Sequence, residues 1–383
     1  MSSPSATTDA GDHEAQVARH LRERIAAAGG WIGFETFMSL ALYAPGLGYY
    51  AAGARKLGSA QEPGGDFVTA PELSPLFGLT LADALAPVLR AIGSVQVLEF
   101  GAGTGALAAV LVPGLRAHGI DVRYRILEVS ADLRQRQQER LAPLGDTVQW
   151  LDALPGGHVG CVVANEVLDA MPVRLFRWSD AGRVLERGVV AGEHGFAFED
   201  RPAPARLAEI VAARMPALPG YVSEVNLQAE AFLREMGRWL ERGTAFFVDY
   251  GFPQREYYHP QRAEGTVMCH RQHRASADPL VHVGMQDITA HIDFTAMADA
   301  ALEGGLDVLG YTSQARFLMN AGLPRHLQAL QAASPEVYLR SLNSIQKLVS
   351  EADMGELFKV LAVGRGVEEP LPGFQHGDRL GSL

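Results

Sequence analysis

Residues Val95–Gly105 read VQVLEFGAGTG, and the fold follows from them outward. Apolar side chains alternate and then run together through Val95, Val97 and Leu98. Glu99-Phe100 then leads into Gly101, Gly103 and Gly105, and the alanine-rich stretch 106–112 follows at once. A buried strand, a tight glycine turn and a helix N-terminus make the βα unit that binds nucleotides in doubly wound sheets. Glycines suit that turn because they reach positive φ and let the backbone approach a ligand with no Cβ in the way. Gly101-x-Gly103-x-x-Ala106 also satisfies a dinucleotide fingerprint. From the stretch alone, a nicotinamide or flavin enzyme, an S-adenosylmethionine (SAM) enzyme and a turn without ligand all remain open.

Composition narrows the field. The chain has 383 residues, 48% of them hydrophobic, enough for a core domain with insertions. Its formal net charge of −11 repels phosphate backbones, which argues against nucleic acid as a partner. Two cysteines, Cys161 and Cys269, stand far apart and form no CxxC pair, so neither a zinc site nor a disulfide framework is expected. The first twelve residues, MSSPSATTDAGD, lack an apolar run and read as a disordered tail without a signal or transit peptide. No uninterrupted apolar run approaches the roughly 18 residues of a membrane span. The expectation is a soluble, cytoplasmic protein.

In chain order, 14–28 and 34–42 read as helices, and a loop containing Gly48-Tyr49-Tyr50 and Gly64-Gly65-Asp66-Phe67 follows. Long loops of this content are commonly functional. A third helix, 74–92, leads into the central strand. Beyond the glycine turn come a second strand at 123–129, a polar helix at 131–141 and a third strand at 147–150. The fourth strand, 159–164, is almost wholly apolar, as buried parallel strands are. Residues 173–178 and 183–190 alternate and read as an antiparallel hairpin added to the sheet. After an amphipathic helix at 227–242, TAFFVD (244–249) is a fifth strand. The remaining two strands are expected at 307–310 and 358–363. The domains expected are a tail (1–12), a helical N-terminal extension with a covering loop (13–92), a catalytic core (93–364) and a loose C-terminal tail (365–383). Within the core, 252–294 is an insertion after strand five, on the substrate side.

Acids at the strand ends choose between the cofactors. Glu128 closes the second strand, 23 positions after Gly105, where a carboxylate accepts ribose hydroxyls in NAD and SAM sites alike. Asp152 follows the third strand and could accept from an adenine amine. Asn165-Glu166 closes the fourth. Ligands bind outside this edge of the sheet, so these residues should ring one pocket. A pyrophosphate wants a helix N-terminus and few acids nearby. SAM carries a sulfonium and an ammonium and no phosphate, and a rim of Glu99, Glu128, Asp152 and Glu166 suits it better.

With these residues in place, the chain resembles a known family. LEFGAGTG (98–105) is similar to motif I of class I SAM-dependent methyltransferases. GDFVTAPELSPLFG (65–78), ANEVLDAMPV (164–173), VDYG (248–251) and DPLVHVGMQDITAHIDFTA (278–296) resemble the MidA family. That family includes the mitochondrial complex I assembly factor that methylates arginine on a complex I subunit. The resemblance runs from about residue 33 to 364. It implies a Rossmann-like, doubly wound seven-stranded α/β sheet and SAM as cofactor, with S-adenosylhomocysteine as product. The acceptor it implies is arginine on a protein, possibly a respiratory complex I subunit. It carries Gly101, Gly103, Gly105, Glu128 and Asp152 over as SAM contacts, and places Asp66, Phe67 and Thr69 in a block packing over the cofactor. The rivals are a small-molecule methyltransferase and a non-catalytic SAM-binding assembly factor.

Methyl transfer is an in-line displacement that needs a nucleophile held close and water excluded. An arginine guanidinium is protonated at any workable pH, so carboxylates must pair with its fork and draw charge from the attacking nitrogen. Glu166 and Asp169, after the fourth strand, are the residues expected to do this. Asn-Glu-Val-Leu (165–168) lacks the Asn/Asp-Pro-Pro-aromatic motif with which methyltransferases stack a flipped base. His270, His273, His282, Asp287, His291 and Asp293 crowd the insertion without metal-ligand spacing, so no metal is expected. Asp287 and His291, spaced i, i+4, are expected on one helix face, as a substrate-binding acid and an orienting imidazole. Tyr257-Tyr258, Glu224 and Asn226 are weaker candidates for the rim.

Overall fold

The computed structural model describes residues 5–52, 68–272 and 274–383. Seven strands form its centre: β1 (Gln96–Phe100), β2 (Arg123–Leu127), β3 (Val148–Leu151), β4 (His158–Asn165), β5 (Leu240–Phe252), β6 (Asp307–Ser313) and β7 (Phe358–Arg365). They run in the order β6-β7-β5-β4-β1-β2-β3. The pairs among β1 to β5 are parallel, whereas β7 lies antiparallel between β5 and β6. A two-residue strand, Ile292–Asp293, extends the sheet beside the end of β5. Winding reverses between β1 and β4, and that switch point is where an open α/β sheet leaves a crevice.

Alternation along each strand divides two cores. Val97, Val163, Phe246 and Val360 face one way, and Leu98, Val162, Phe247 and Leu361 the other. Seven helices matter to the site: α1 (Ser5–Ala27), α2 (Phe34–Tyr43), α3 (Pro75–Ile92), α4 (Ala106–Ala117), α5 (Ala131–Leu141), α6 (Leu227–Trp239) and α7 (Phe294–Glu303). α3 and α4 cover the first face; α6 and α7 cover the second. Ser74 caps α3 by accepting from Leu76 N–H (3.2 Å), and Gly93 ends it at φ 67°. The helix is long and apolar enough to cross a membrane by composition, yet most of it is buried in this core.

Four expectations are corrected. The 173–178/183–190 hairpin forms, but in a second, antiparallel sheet with strands Ile32–Gly33, Gly195–Pro202 and Val222–Val225. Its apolar face meets α1 and α2, through Val17, Leu21, Phe34 and Phe37 against Val173, Leu175 and Val189. Alternation specifies a half-buried strand and not its sheet. The 13–92 segment is no single extension, because α3 is a layer of the main core. α1 begins at Ser5, inside the expected tail. The last residues are not loose: Leu371 and Phe374 are buried, with the Phe374 ring 5.5 Å from that of Phe317.

Within the insertion after β5, Arg274–Ser276, Met268–Arg271 and Asp287–Thr289 make a small antiparallel sheet. Cys269, Ile288 and Ala290 tie it to the core under α1 and α2.

Candidate functional site

A cavity of about 670 Å³ opens at the carboxyl ends of β1, β2 and β4. Its floor is the glycine turn. Gly101, Gly103 and Gly105 adopt φ of 60°, 55° and 82°. A Cβ on Gly101 would stand 3.1 Å from Val167, so the turn excludes a side chain on two counts. Gly101 and Gly103 line the cavity; Gly105 lies outside the lining and caps α4. Thr104 is tied to Glu72 and to Arg140, whose Nη1 reaches Glu72 at 2.7 Å. Thr69, Pro71 and Glu72 thus close over the turn. Asp66 and Phe67 lie outside the described residues.

At this end each acid has donors. Glu128 Oε1 accepts Ser130 N–H and Oε2 accepts Gln137 Nε2, both at 2.9 Å. Burial raises the Glu128 pKa and these donors oppose the rise. Glu99 is buried, accepts Tyr124 O–H at 2.8 Å, and is pushed up by burial to about 8. Val129, although apolar, is 78% exposed in the wall, with Leu133 and Leu154 nearby. An open apolar slot beside a ribose-binding acid fits the flat face of adenine. Asn165 Oδ1 is buried without a partner among the described residues, a free acceptor in the wall. These features fit SAM: a hydroxyl-accepting carboxylate, an apolar slot, and acceptors for an ammonium. Asp152 is not brought to the cavity; it pairs with Arg134, its side chain 85% exposed.

At the other end Glu166 lines the cavity, and Asp169 and Asp249 lie behind it, outside the lining. Glu166 turns the chain out of β4 at φ 53°, a strained angle for a residue with a Cβ, and Val248 O holds its N–H at 2.9 Å. Its side chain lines the cavity and accepts Asn165 Nδ2 at 3.0 Å. Asp169 lies buried behind it and accepts Tyr250 O–H at 2.5 Å, leaving Oδ1 without a partner among the described residues. Asp249 Oδ2 accepts the N–H groups of Leu168 (3.0 Å) and Asp169 (3.3 Å), clamping the strained turn. Burial and the neighbouring Asp169 push Glu166 up to about 8. Burial raises Asp169 to about 6 against the pull of Tyr250. Asp249 is raised by burial and by Asp169 and Glu166.

Tyr43 and Tyr50 roof this end with rings stacked at 5.5 Å and 18°. Tyr43 O–H donates to Ala170 O (2.8 Å), and Tyr50 O–H to Asp287 Oδ1 (2.9 Å). Tyr50 has a sequence signal, the Gly48-Tyr49-Tyr50 loop, and Tyr43, at the end of α2, has none. Asp249 lies in the VDYG stretch (248–251), whereas half-buried Phe232 and exposed Leu154 have no such signal.

His291 does not reach the cavity. Its imidazole stacks on Phe252 (5.4 Å, 16°) and meets the edge of Tyr250 (5.0 Å). Burial lowers its pKa to about 4, so it is neutral. Nor does Asp287 share a helix face with it: Asp287–Thr289 is a strand, Asp287 paired with His270. Glu224 accepts Tyr257 O–H (2.7 Å) and Thr266 N–H (3.0 Å), and Asn226 caps α6, so both serve packing away from the cavity.

Residues 80–312 match the model of a family described as "Putative S-adenosyl-L-methionine-dependent methyltransferase". The chain is 50% identical to a Burkholderia thailandensis protein described as a "likely methyl transferase", whose crystal structure holds S-adenosyl-homocysteine. The alignment covers 100% of this chain and 99% of that one, with a TM-score of 0.94. A native crystal structure of an uncharacterized protein from the same organism gives 48% identity, 100% and 99% coverage, and a TM-score of 0.91. The protein arginine methyltransferase NDUFAF7 homolog, mitochondrial, of Drosophila melanogaster is 28% identical over 95% of this chain and 88% of its own. Human NDUFAF7, a protein arginine methyltransferase, is 26% identical over 91% and 83%. The chain belongs to the MidA-like family of SAM-dependent methyltransferases, and SAM is the methyl donor its cavity is built to hold.

Proposed function

We propose that the methyl acceptor is the guanidinium of an arginine side chain on a protein. One observation carries this reading: half-buried Glu166 lies with the buried Asp169 and Asp249 at the acceptor end, and among the described residues none of the three is ion-paired with a lysine or arginine. Mutual repulsion without a cation is costly, and a flat cation with several N–H donors relieves it. The names of the relatives support the same acceptor. The MidA resemblance makes a respiratory complex I subunit the first acceptor to try.

When bound, the cofactor supplies a methyl group on a sulfonium. Glu166, on its strained turn, pairs with the guanidinium and draws positive charge toward the paired nitrogens, leaving the third free to attack. Its raised pKa suits it to take the proton the product sheds. Asp169, oriented by Tyr250, stabilises the fork from behind. The roof of Tyr43 and Tyr50 keeps water from the reacting atoms. The test is incubation with methyl-labelled SAM and a cell extract, followed by mass spectrometry. Label on arginine of a protein is expected; label only in small molecules overturns the reading.

A further inference from the structure

Gln137 lies on α5 in the run RQRQQER, where nothing in the sequence sets it apart from its neighbours. Its side chain is fully buried. Nε2 donates to Gly103 O and to Glu128 Oε2, and Oε1 accepts Trp150 Nε1 from β3, each at 2.9 Å. An indole N–H only donates, so Trp150 fixes the amide's direction: oxygen to the ring, nitrogen to the carbonyl and the acid. One side chain therefore joins the floor of the cavity to the acid at the end of β2. A lysine or arginine at this position would pair with Glu128 and compete with the ligand. A glutamate would repel it.

We propose that Gln137, oriented by Trp150, is a positioning residue that holds the Glu128 carboxylate and the Gly103 turn as one unit at the floor of the cofactor cavity. Both ends of the amide are used, and Gln137 is the side-chain donor to Glu128, beside the backbone N–H groups of Ser130 and Val129. The Gln137 and Ser130 donors hold the Glu128 pKa down against burial, so removing Gln137's must let it rise. The titratable groups that face Glu128 are Glu99 on β1 and Tyr43 on α2. Arg134 and Arg140, on α5, are committed to Asp152 and Glu72.

The experiment is calorimetric titration of the full chain with S-adenosylhomocysteine between pH 6 and pH 8, comparing wild type with Gln137→Met. The ratio of the two dissociation constants cancels groups that titrate in both. It should reach about tenfold at pH 6, the size expected for a hydrogen bond to a charged group, and shrink toward pH 8. In a Glu128→Gln background, Gln137→Met should add little. Trp150→Phe, which frees the amide to turn over, should show the same pH trend at a few-fold, and it carries the test if Gln137→Met does not fold. A ratio near one throughout, a loss equal at every pH, or losses that multiply with Glu128→Gln would each overturn the proposal.

Discussion

Glu128 and Glu166 both follow the carboxyl end of a strand in one sheet, and their surroundings differ in kind. Glu128 accepts from the Gln137 side chain and from the backbone N–H groups of Ser130 and Val129. Glu166 has the Asn165 amide and the Ala70 N–H as donors, but Asp169 and Asp287 raise its pKa further. The first is held ready for neutral hydroxyls. The second stands among other acids, and on the proposed reading a cationic acceptor completes it. One cavity thus has a preorganised end for the cofactor and an acid-rich end proposed to select the acceptor.

The largest effect expected from breaking the cofactor end alone is at the glycine turn. Gly101→Leu puts a branched side chain at positive φ against Val167, and should weaken S-adenosylhomocysteine binding at least about 100-fold by calorimetry, with the fold checked by circular dichroism. At the acceptor end, Tyr250→Phe removes the donor that lowers Asp169. The Asp169 pKa then rises from about 6 toward neutrality. Acceptor turnover should fall about twofold at pH 7 and recover by pH 8.5, while S-adenosylhomocysteine affinity stays unchanged.

The acids also make stability depend on pH. Glu99 and Glu166 titrate near 8 in the folded chain against an ordinary 4.5, so folding favours their protonated forms. Their contribution is fully present below about pH 4.5 and is lost as pH rises through about 8. The ligand-free protein should therefore lose several degrees of melting temperature between pH 5.5 and pH 8.5, and Glu166→Gln should flatten part of that slope. The smallest effect belongs to Asp152→Asn. The exposed Arg134 pair is all it breaks, and S-adenosylhomocysteine affinity should stay within about threefold of wild type.

How much of this was legible beforehand differs along the same line. The cofactor end follows from contiguous stretches: a strand, a glycine turn and an acid 23 positions on, with periodicity enough to place them. Glu166 could be found because it ends an apolar strand. Other parts depend on long-range packing. Tyr50 meets Asp287 across 237 positions, and Gln137 is buried by Trp150 and the glycine turn, not by any local pattern. The i, i+4 spacing of Asp287 and His291 was misleading because Ile288, Thr289 and Ile292 between and after them are β-branched, and the segment pairs as strands. Asp152 is expected at the cofactor from its place after the third strand, but it pairs with Arg134, one turn into α5, and stays exposed.

The claim that binding and selection sit at opposite ends of one cavity is tested most directly by Glu166→Gln, measured for both functions in one preparation. The substitution keeps size and hydrogen bonding while removing the charge that meets the acceptor. Calorimetry should show S-adenosylhomocysteine affinity within about threefold of wild type, while methyl transfer to protein arginine falls at least about 100-fold. Equal losses in both would show that Glu166 serves the cofactor, and undiminished transfer would show that the acid cluster does not select the acceptor.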